Sequence, residues 1–126
     1  MILELDFESE VPIYLQLKNE IIKAVAKGEL IENNSLPSVR NLAADLDINM
    51  HTVNKAYNFL KEDGYIKMDR RKGALISYDY REKNKEFNIT LDKELEIYVA
   101  ECVARGIGKE LMIDKLNNIF LSYKGE

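Results

Sequence analysis

Residues 36–66 have the sequence LPSVRNLAADLDINMHTVNKAYNFLKEDGYI, which contains two sets of helix-start signals and two apolar patterns of helical period. Pro37 and Ser38 are typical of a helix start, because the missing N–H of proline is harmless there and the serine side chain can accept a hydrogen bond from a free backbone N–H. The first helix stops near Asp47, and Asn49 can cap the second. Apolar side chains recur at helical spacing in both helices, namely at Val39, Leu42, Ala43 and Leu46 and then at Val53, Ala56, Tyr57 and Leu60. The stretch therefore predicts two consecutive helices.

Beyond Gly64, which suits the left-handed end of a helix, the pattern changes to that of short strands. Residues 65–68 and 74–78 predict two strands joined by residues 69–73. The joining segment carries Arg70, Arg71 and Lys72, so the hairpin has a basic tip. A helix, a turn, a helix and a basic hairpin together predict a winged helix-turn-helix in a mainly α fold, with the hairpin as a small β wing.

One further helix is predicted before this motif, over about residues 11–27. Pro12 suits its first turn and Gly28 its far end, and its apolar positions are Tyr14, Leu17, Ile21 and Val25. Residues 2–7 alternate in polarity, which predicts an edge strand. We therefore expect a winged helix-turn-helix domain over residues 1–78.

Residues 79–88 hold six charged side chains among ten and predict a linker. Two further helices are expected over residues 89–126, the first capped by Thr90 and separated from the second by Gly106 and Gly108. Two helices of this length cannot bury their own apolar faces, so a second copy of the chain is the expected cover. The residues predicted to form this dimer interface are Leu95, Tyr98, Val99, Cys102, Met112, Leu116, Ile119, Phe120 and Tyr123.

The composition excludes several classes of site. The chain has 126 residues, 46% of them apolar and 32% charged, which is enough for one folded domain with a short appendage. A single Cys cannot form an intramolecular disulfide, and one His together with that Cys cannot assemble a tetrahedral zinc site, so no metal or cofactor is expected. Catalytic groupings of Ser, His and Asp are also missing, which disfavours an enzyme. The longest apolar stretches fall short of a membrane span and the amino-terminal residues are acidic, which predicts a cytoplasmic protein with no membrane partner.

The charge is unevenly distributed along the chain. The net charge is −4, but residues 36–78 carry seven basic and five acidic side chains and are the only positive third. The first turn of a recognition helix reaches base edges in the major groove, and cationic side chains of a wing can enter the minor groove. The residues predicted to contact double-stranded operator DNA are Ser38, Arg40, Asn49, Met50, His51, Thr52, Asn54, Lys55, Arg70, Arg71, Lys72 and Gly73.

Several short motifs resemble the GntR family of bacterial transcription regulators. They are PIYLQLK at 12–18, GEL at 28–30, LPSVRNLA at 36–43, TVNKAY at 52–57 and EDGYI at 62–66, and they span about residues 10–78 in the family's order. The short tail is similar to that of the YtrA-type subfamily. In that family DNA contacts come from the Arg of LPSVR, from the start of the recognition helix and from the wing tip, which implies roles for Arg40, for residues 50–52 and for residues 70–73. Three positions depart from the pattern: Met50 stands where Arg or Pro is frequent, Asp47 where Gly is usual, and Arg71 where the wing commonly has Gly.

The resemblance also implies a biological role. YtrA-type regulators dimerise through two carboxy-terminal helices and often repress their own operon together with a neighbouring ABC transporter. Within the subfamily, the chain is similar to regulators of exporters for amphipathic peptides such as phenol-soluble modulins. We therefore expect a homodimeric repressor on an inverted repeat, released by an inducer that is a small molecule or an amphipathic peptide. The alternative is a winged module that binds another protein, as an antirepressor does, and not DNA.

Overall fold

The computed structural model describes residues 3–124 and has the predicted mainly α architecture with a two-stranded wing. Its elements in chain order are α1 (Ile13–Ala26), α2 (Val39–Leu46), α3 (Met50–Asp63), β1 (Ile66–Asp69), β2 (Gly73–Ile76), a 3-10 helix (Asp79–Lys83), α4 (Asn84–Ala104) and α5 (Lys109–Lys124). The chain divides into two compact units, Met1–Glu82 and Lys83–Glu126. The first unit is a winged helix-turn-helix, as the sequence predicts.

Local hydrogen bonds and backbone conformations set the ends of the two central helices where the sequence predicts them. The Ser38 side chain accepts a hydrogen bond from the Asn41 N–H at 3.1 Å, and the Asn49 side chain accepts one from the His51 N–H at 2.7 Å. Asp47 ends α2 in the left-handed region, with φ of 53°. Because a residue with a Cβ is disfavoured in that conformation, the structure explains why glycine is usual at this position in the GntR pattern.

The core of the first unit forms where α1 and α2 pack against α3 and the wing. Leu17 and Ile21 of α1 meet Val53 and Leu60 of α3, and all four side chains are fully buried. Burying one such side chain stabilises a fold by roughly 1.5–3 kcal/mol. Tyr57 is also buried, and burial raises the pKa of its hydroxyl to about 12. The protonated hydroxyl can therefore donate a hydrogen bond inside the core.

The wing is a regular antiparallel hairpin joined to the segment before α2. Its register pairs Ile66 with Ile76 and Asp69 with Gly73. Beside it, the Leu36 N–H donates to the Ala74 carbonyl at 2.8 Å, and the Ile76 N–H donates to the Asn34 carbonyl at 2.9 Å. The wing and the start of α2 are therefore parts of one hydrogen-bonded layer.

The predicted edge strand at residues 2–7 is wrong for the residues that the structure describes. Residues 3–7 form no strand, and Ile2 lies outside the described residues. The Gln16 side chain takes the place of a partner strand: its Nε2 donates to the carbonyls of Asp6 (2.9 Å) and Val11 (2.7 Å), and its Oε1 accepts from the Asp6 N–H at 2.7 Å. Alternating polarity did not indicate this partner, and Phe7, which continues the alternation of Leu3 and Leu5, is 62% exposed.

Residues 79–88, predicted as a linker, are helical in the structure. A 3-10 helix covers Asp79–Lys83 and α4 begins at Asn84, so Thr90 lies inside the helix and does not cap it. Lys and Glu are good helix formers, and charge density alone does not distinguish an exposed helix from a loop. The predicted break between the last two helices is confirmed, with Gly106 in the left-handed region at φ of 75°.

Candidate nucleic-acid interface

Three segments of the first unit carry the residues predicted to contact DNA: the start of α2, the start of α3 and the wing tip. The Tyr57 hydroxyl of α3 donates to the Pro37 carbonyl at 2.7 Å, which fixes the start of α2 against α3. The hydrogen bond from Leu36 to Ala74 ties the same segment to the wing. The three segments are therefore mounted on one core and cannot move independently without breaking these bonds.

The side chains at the starts of α2 and α3 are largely available to a partner. Arg40, His51 and Asn54 are exposed, Met50 is 48% exposed, and Thr52 is half-buried. The free N–H groups and the positive dipole end of α3 favour a phosphate at this position. Arginine, histidine and asparagine side chains at such a helix start can donate hydrogen bonds to base edges or phosphates.

Ser38 and Asn49 serve first as helix caps. Each uses its side-chain oxygen to accept a backbone hydrogen bond within its own helix. The serine hydroxyl hydrogen and the asparagine Nδ2 group remain available as donors. Each residue can therefore cap its helix and donate a hydrogen bond to a phosphate oxygen at the same time. Their predicted role in DNA contact stays a prediction, because the caps explain their presence equally well.

Lys55 lies on the side of α3 that faces α1. Its Nζ is 4.1 Å from the centre of the Tyr14 ring, and Tyr14 stacks on Phe59 at 5.7 Å. A second lysine, Lys18, contacts the Phe59 ring of this pair. Its Nζ is 5.5 Å from the centre of that ring and 3.6 Å from the Asp63 carboxylate. The sequence analysis missed this aromatic and cationic cluster, although its members recur four residues apart along each helix, at 14 and 18 and at 55 and 59. Such contacts hold a lysine in place while it keeps its charge.

The wing tip is ordered by a side chain that the sequence analysis also missed. Asp69 Oδ1 accepts hydrogen bonds from the N–H groups of Lys72 (2.9 Å) and Arg71 (2.8 Å). These two hydrogen bonds lower the pKa of the Asp69 carboxyl, so it remains a charged acceptor. Gly73 follows with φ of 77°, in the left-handed region that glycine favours. Arg70, Arg71 and Lys72 are all exposed on this fixed turn.

We expect Asp69→Ala to weaken DNA binding by roughly fivefold, because the released wing tip would have to be ordered again on binding. Asp69→Asn is the matched variant: asparagine can accept the same two hydrogen bonds and removes a negative charge that repels phosphate. It should bind at least as tightly as the unmodified protein in a fluorescence anisotropy titration. Equal losses in the two variants would show that the turn does not contribute through these hydrogen bonds.

The residues predicted to form the dimer interface lie on α4 and α5. Leu95, Tyr98, Val99, Leu116, Ile119 and Phe120 are exposed, whereas Cys102, Met112 and Tyr123 are half-buried. Over the whole of α4, which the structure describes completely, no side chain is buried. The helices of the second unit therefore present a large apolar surface in the single chain.

Within residues 3–124 the structure has no cluster of His, Cys, Asp and Glu side chains that could hold a metal ion. In the same range, none of the helices combines the length and the apolar character needed to cross a bilayer.

Comparison with known proteins places the winged unit in a family. The model for bacterial regulatory proteins of the gntR family matches residues 13–76. The HTH-type transcriptional repressor YtrA of Bacillus subtilis (strain 168) is 31% identical over 124 residues, which cover 98% of this chain and 95% of the relative.

Two solved structures extend the similarity to most of the chain. YtrA from Sulfolobus acidocaldarius, a GntR-family transcription factor, is 37% identical with a TM-score of 0.62, covering 76% of this chain and 99% of the other. A transcriptional antiterminator from Listeria monocytogenes EGD-e is 27% identical with a TM-score of 0.80, covering 95% of this chain and 90% of the other. Members of this family regulate transcription and are not enzymes. The chain therefore belongs to the GntR family of bacterial regulatory proteins, is similar to its YtrA-type members, and is a DNA-binding transcriptional regulator.

Proposed function

We propose that the chain is a homodimeric repressor that acts in the cytoplasm on an inverted-repeat operator. The observation that carries the proposal is a division of surfaces between the two units. The winged unit presents cationic and polar side chains at Arg40, His51 and the wing tip, whereas the second unit presents apolar ones. Residues 1–78 would bind DNA, and residues 89–126 would hold two copies together.

The DNA-binding part of the proposal follows from where the polar donors lie. The starts of α2 and α3 would place Arg40 and residues 49–52 toward the major groove. Asn54 and Lys55 lie further along α3, where they would meet the phosphate backbone. The wing would place residues 70–73 in or beside the minor groove, whose negative potential attracts guanidinium groups. Ser38 would add a phosphate contact at the start of α2.

The dimer follows from the exposed apolar side chains of α4 and α5. A helix of 21 residues is about 31 Å long, which is about the diameter of a small domain. The helix α4 alone could therefore form a long contact with a second copy. Apolar surface on this scale is rare on a monomer in solution, and a symmetric pair buries the same patch on both copies. Two-fold symmetry would then match the symmetry of an inverted repeat.

Repression is supported by the relative from Bacillus subtilis that bears the name repressor and aligns along nearly the whole chain. We extend the proposal to control of the chain's own operon, together with a neighbouring ABC transporter. An inducer, either a small molecule or an amphipathic peptide, would release the operator by binding preferentially to a dimer whose two winged units no longer match the half-sites. Such a shift requires unequal affinity for the two arrangements.

The proposal is tested with purified protein and a duplex taken from the DNA upstream of its own gene, with a shuffled duplex of equal length as the control. If each dimer neutralises about six to ten phosphates, log affinity should fall against log salt with a slope of roughly −5 to −9. The upstream duplex should bind much more tightly than the shuffled one at every salt concentration. Weak binding to both duplexes with little salt dependence would contradict the proposal and favour a module that binds another protein.

A further inference from the structure

Three aromatic rings and an arginine surround the chain where it leaves the winged unit. The ring of Tyr80 stacks on that of Tyr65 with centres 4.4 Å apart and planes 17° from parallel. Tyr78 meets Tyr80 edge-on at 6.0 Å, and the Arg81 guanidinium carbon lies 4.2 Å from the centre of the Tyr78 ring. We call these four residues the junction clamp.

Hydrogen bonds also hold the exit segment, residues 77–81, in place. The Tyr80 N–H donates to the Gly64 carbonyl at 3.0 Å, and the Ser77 N–H donates to the Tyr65 carbonyl at 2.8 Å. Ser77 is fully buried, and its Oγ accepts a hydrogen bond from the Asp79 N–H at 3.1 Å. The two backbone bonds tie this segment to the corner between α3 and β1, and the bond between Ser77 and Asp79 shapes the segment itself.

The approach of the exit segment to Gly64 is unusually close. A Cβ atom at residue 64 would lie 2.6 Å from the Tyr80 backbone nitrogen, closer than such atoms approach in proteins. Gly64 also has φ of 90°, which glycine adopts without strain. The residue therefore both ends α3 and makes room for the backbone of Tyr80.

The position of the clamp along the chain suggests what it does. All four clamp residues belong to the unit Met1–Glu82, and α4 begins at Asn84 directly after the 3-10 helix. A tether that only had to connect two units would not need stacked rings and a buried serine. The contacts instead fix the path along which the chain leaves the winged unit.

We propose that the junction clamp is a positioning device for recognition of two half-sites at one spacing. This inference rests on the proposed homodimer: if α4 and α5 join two copies, a fixed exit from each winged unit limits the arrangements in which both recognition helices reach DNA. Each inserted base pair turns one half-site about 35° relative to the other, because a turn of DNA contains 10–10.5 base pairs. A rigid exit would therefore make binding sensitive to spacing.

The test compares Tyr80→Ala with Tyr80→Phe, which keeps the ring that stacks on Tyr65. Affinity is measured for the full inverted repeat, for a single half-site, and for repeats with one or two base pairs added between the half-sites. We expect Tyr80→Ala to lose about tenfold in affinity for the full repeat, because the effective concentration of the second winged unit falls when its orientation is free. Half-site affinity should not change, discrimination between spacings should shrink to about threefold or less, and Tyr80→Phe should behave as the unmodified protein does.

Each other outcome overturns the inference in a recognisable way. Equal losses on the full repeat and the half-site would mean that Tyr80 only maintains the winged fold, and unchanged spacing discrimination would mean that the clamp does not position the units. If Tyr80→Ala does not fold, as judged by thermal melting followed by circular dichroism, Arg81→Ala is tested by the same criteria. If the unmodified protein binds the half-site as tightly as the full repeat, the result contradicts the proposed homodimer itself, whatever the clamp variants do.

Discussion

Replacing Leu116 and Phe120 together with glutamate should convert the proposed dimer into monomers and lower operator affinity by at least about a hundredfold. In the single chain these side chains are 46% and 62% exposed, so each has much apolar area left to bury. A symmetric interface contains each residue twice, and burying one such side chain fully stabilises by roughly 1.5–3 kcal/mol. Four buried carboxylates without partners would oppose association further. Sedimentation velocity measures the oligomeric state directly.

The same helix supplies the control. Asn117→Glu together with Asn118→Glu adds two carboxylates to the intervening exposed positions. These positions are polar already, so the control variant should remain dimeric and bind the operator. The Leu116 and Phe120 variant should still bind a half-site weakly, because its winged unit is unchanged. A double variant that sediments as a dimer would contradict the assignment of α5 to the interface.

The elements that the sequence predicts correctly are those fixed by neighbours in the chain. Ser38 and Asn49 cap helices through hydrogen bonds that span three and two residues, and Gly64 ends α3 through its own backbone conformation. The apolar stripes of α2 and α3 point to the core that the structure shows. Local chemistry was sufficient there, because each signal agrees with the packing.

The elements that sequence analysis misplaces depend on distant partners or on weak local signals. Residues 3–7 are held by two side chains of α1 and not by a strand: Gln16 bonds Asp6 and Glu20 bonds Glu4, which no periodicity could indicate. The start of α4 was predicted too late in the chain, because a run of charged residues is compatible with both an exposed helix and a loop. Boundaries of this kind require knowledge of the tertiary partner.

The features of the candidate site also divide into those that the sequence could predict and those that it could not. Exposure of Arg40 and His51 was predictable, because they lie opposite the apolar stripe of their helices. The contact of Lys55 with Tyr14 and the stacking of Tyr80 on Tyr65 were not, because they join residues far apart in the chain. The Asp69 turn is an intermediate case: an aspartate before a basic turn is a known local signal, and it was overlooked among the charges that follow it.

Arg40→Ala should reduce operator affinity by about thirtyfold or more. A well-placed arginine contact to a guanine or a phosphate contributes about 1–3 kcal/mol, and a dimer would lose it at both half-sites. Arg40 is exposed at the start of α2, where Ser38 caps the helix. The hydrogen bond from the Tyr57 hydroxyl to the Pro37 carbonyl holds this end of α2 in place. The substitution removes an exposed side chain from that helix, so the thermal midpoint should change little. Arg105→Ala, which removes the same charge from the second unit, is the control and should keep full affinity.

Arg40→Lys then separates the two kinds of contact. A phosphate contact needs only a positive charge, so lysine should restore most of the affinity, and the alanine variant should show a salt slope smaller by about one unit per protomer. A bidentate contact to guanine depends on the planar guanidinium, so lysine should not restore it, and the alanine variant should lose discrimination at one base pair of each half-site. If Arg40→Ala binds the operator as tightly as Arg105→Ala does, α2 makes no DNA contact through this residue, and recognition must be assigned to α3 and the wing.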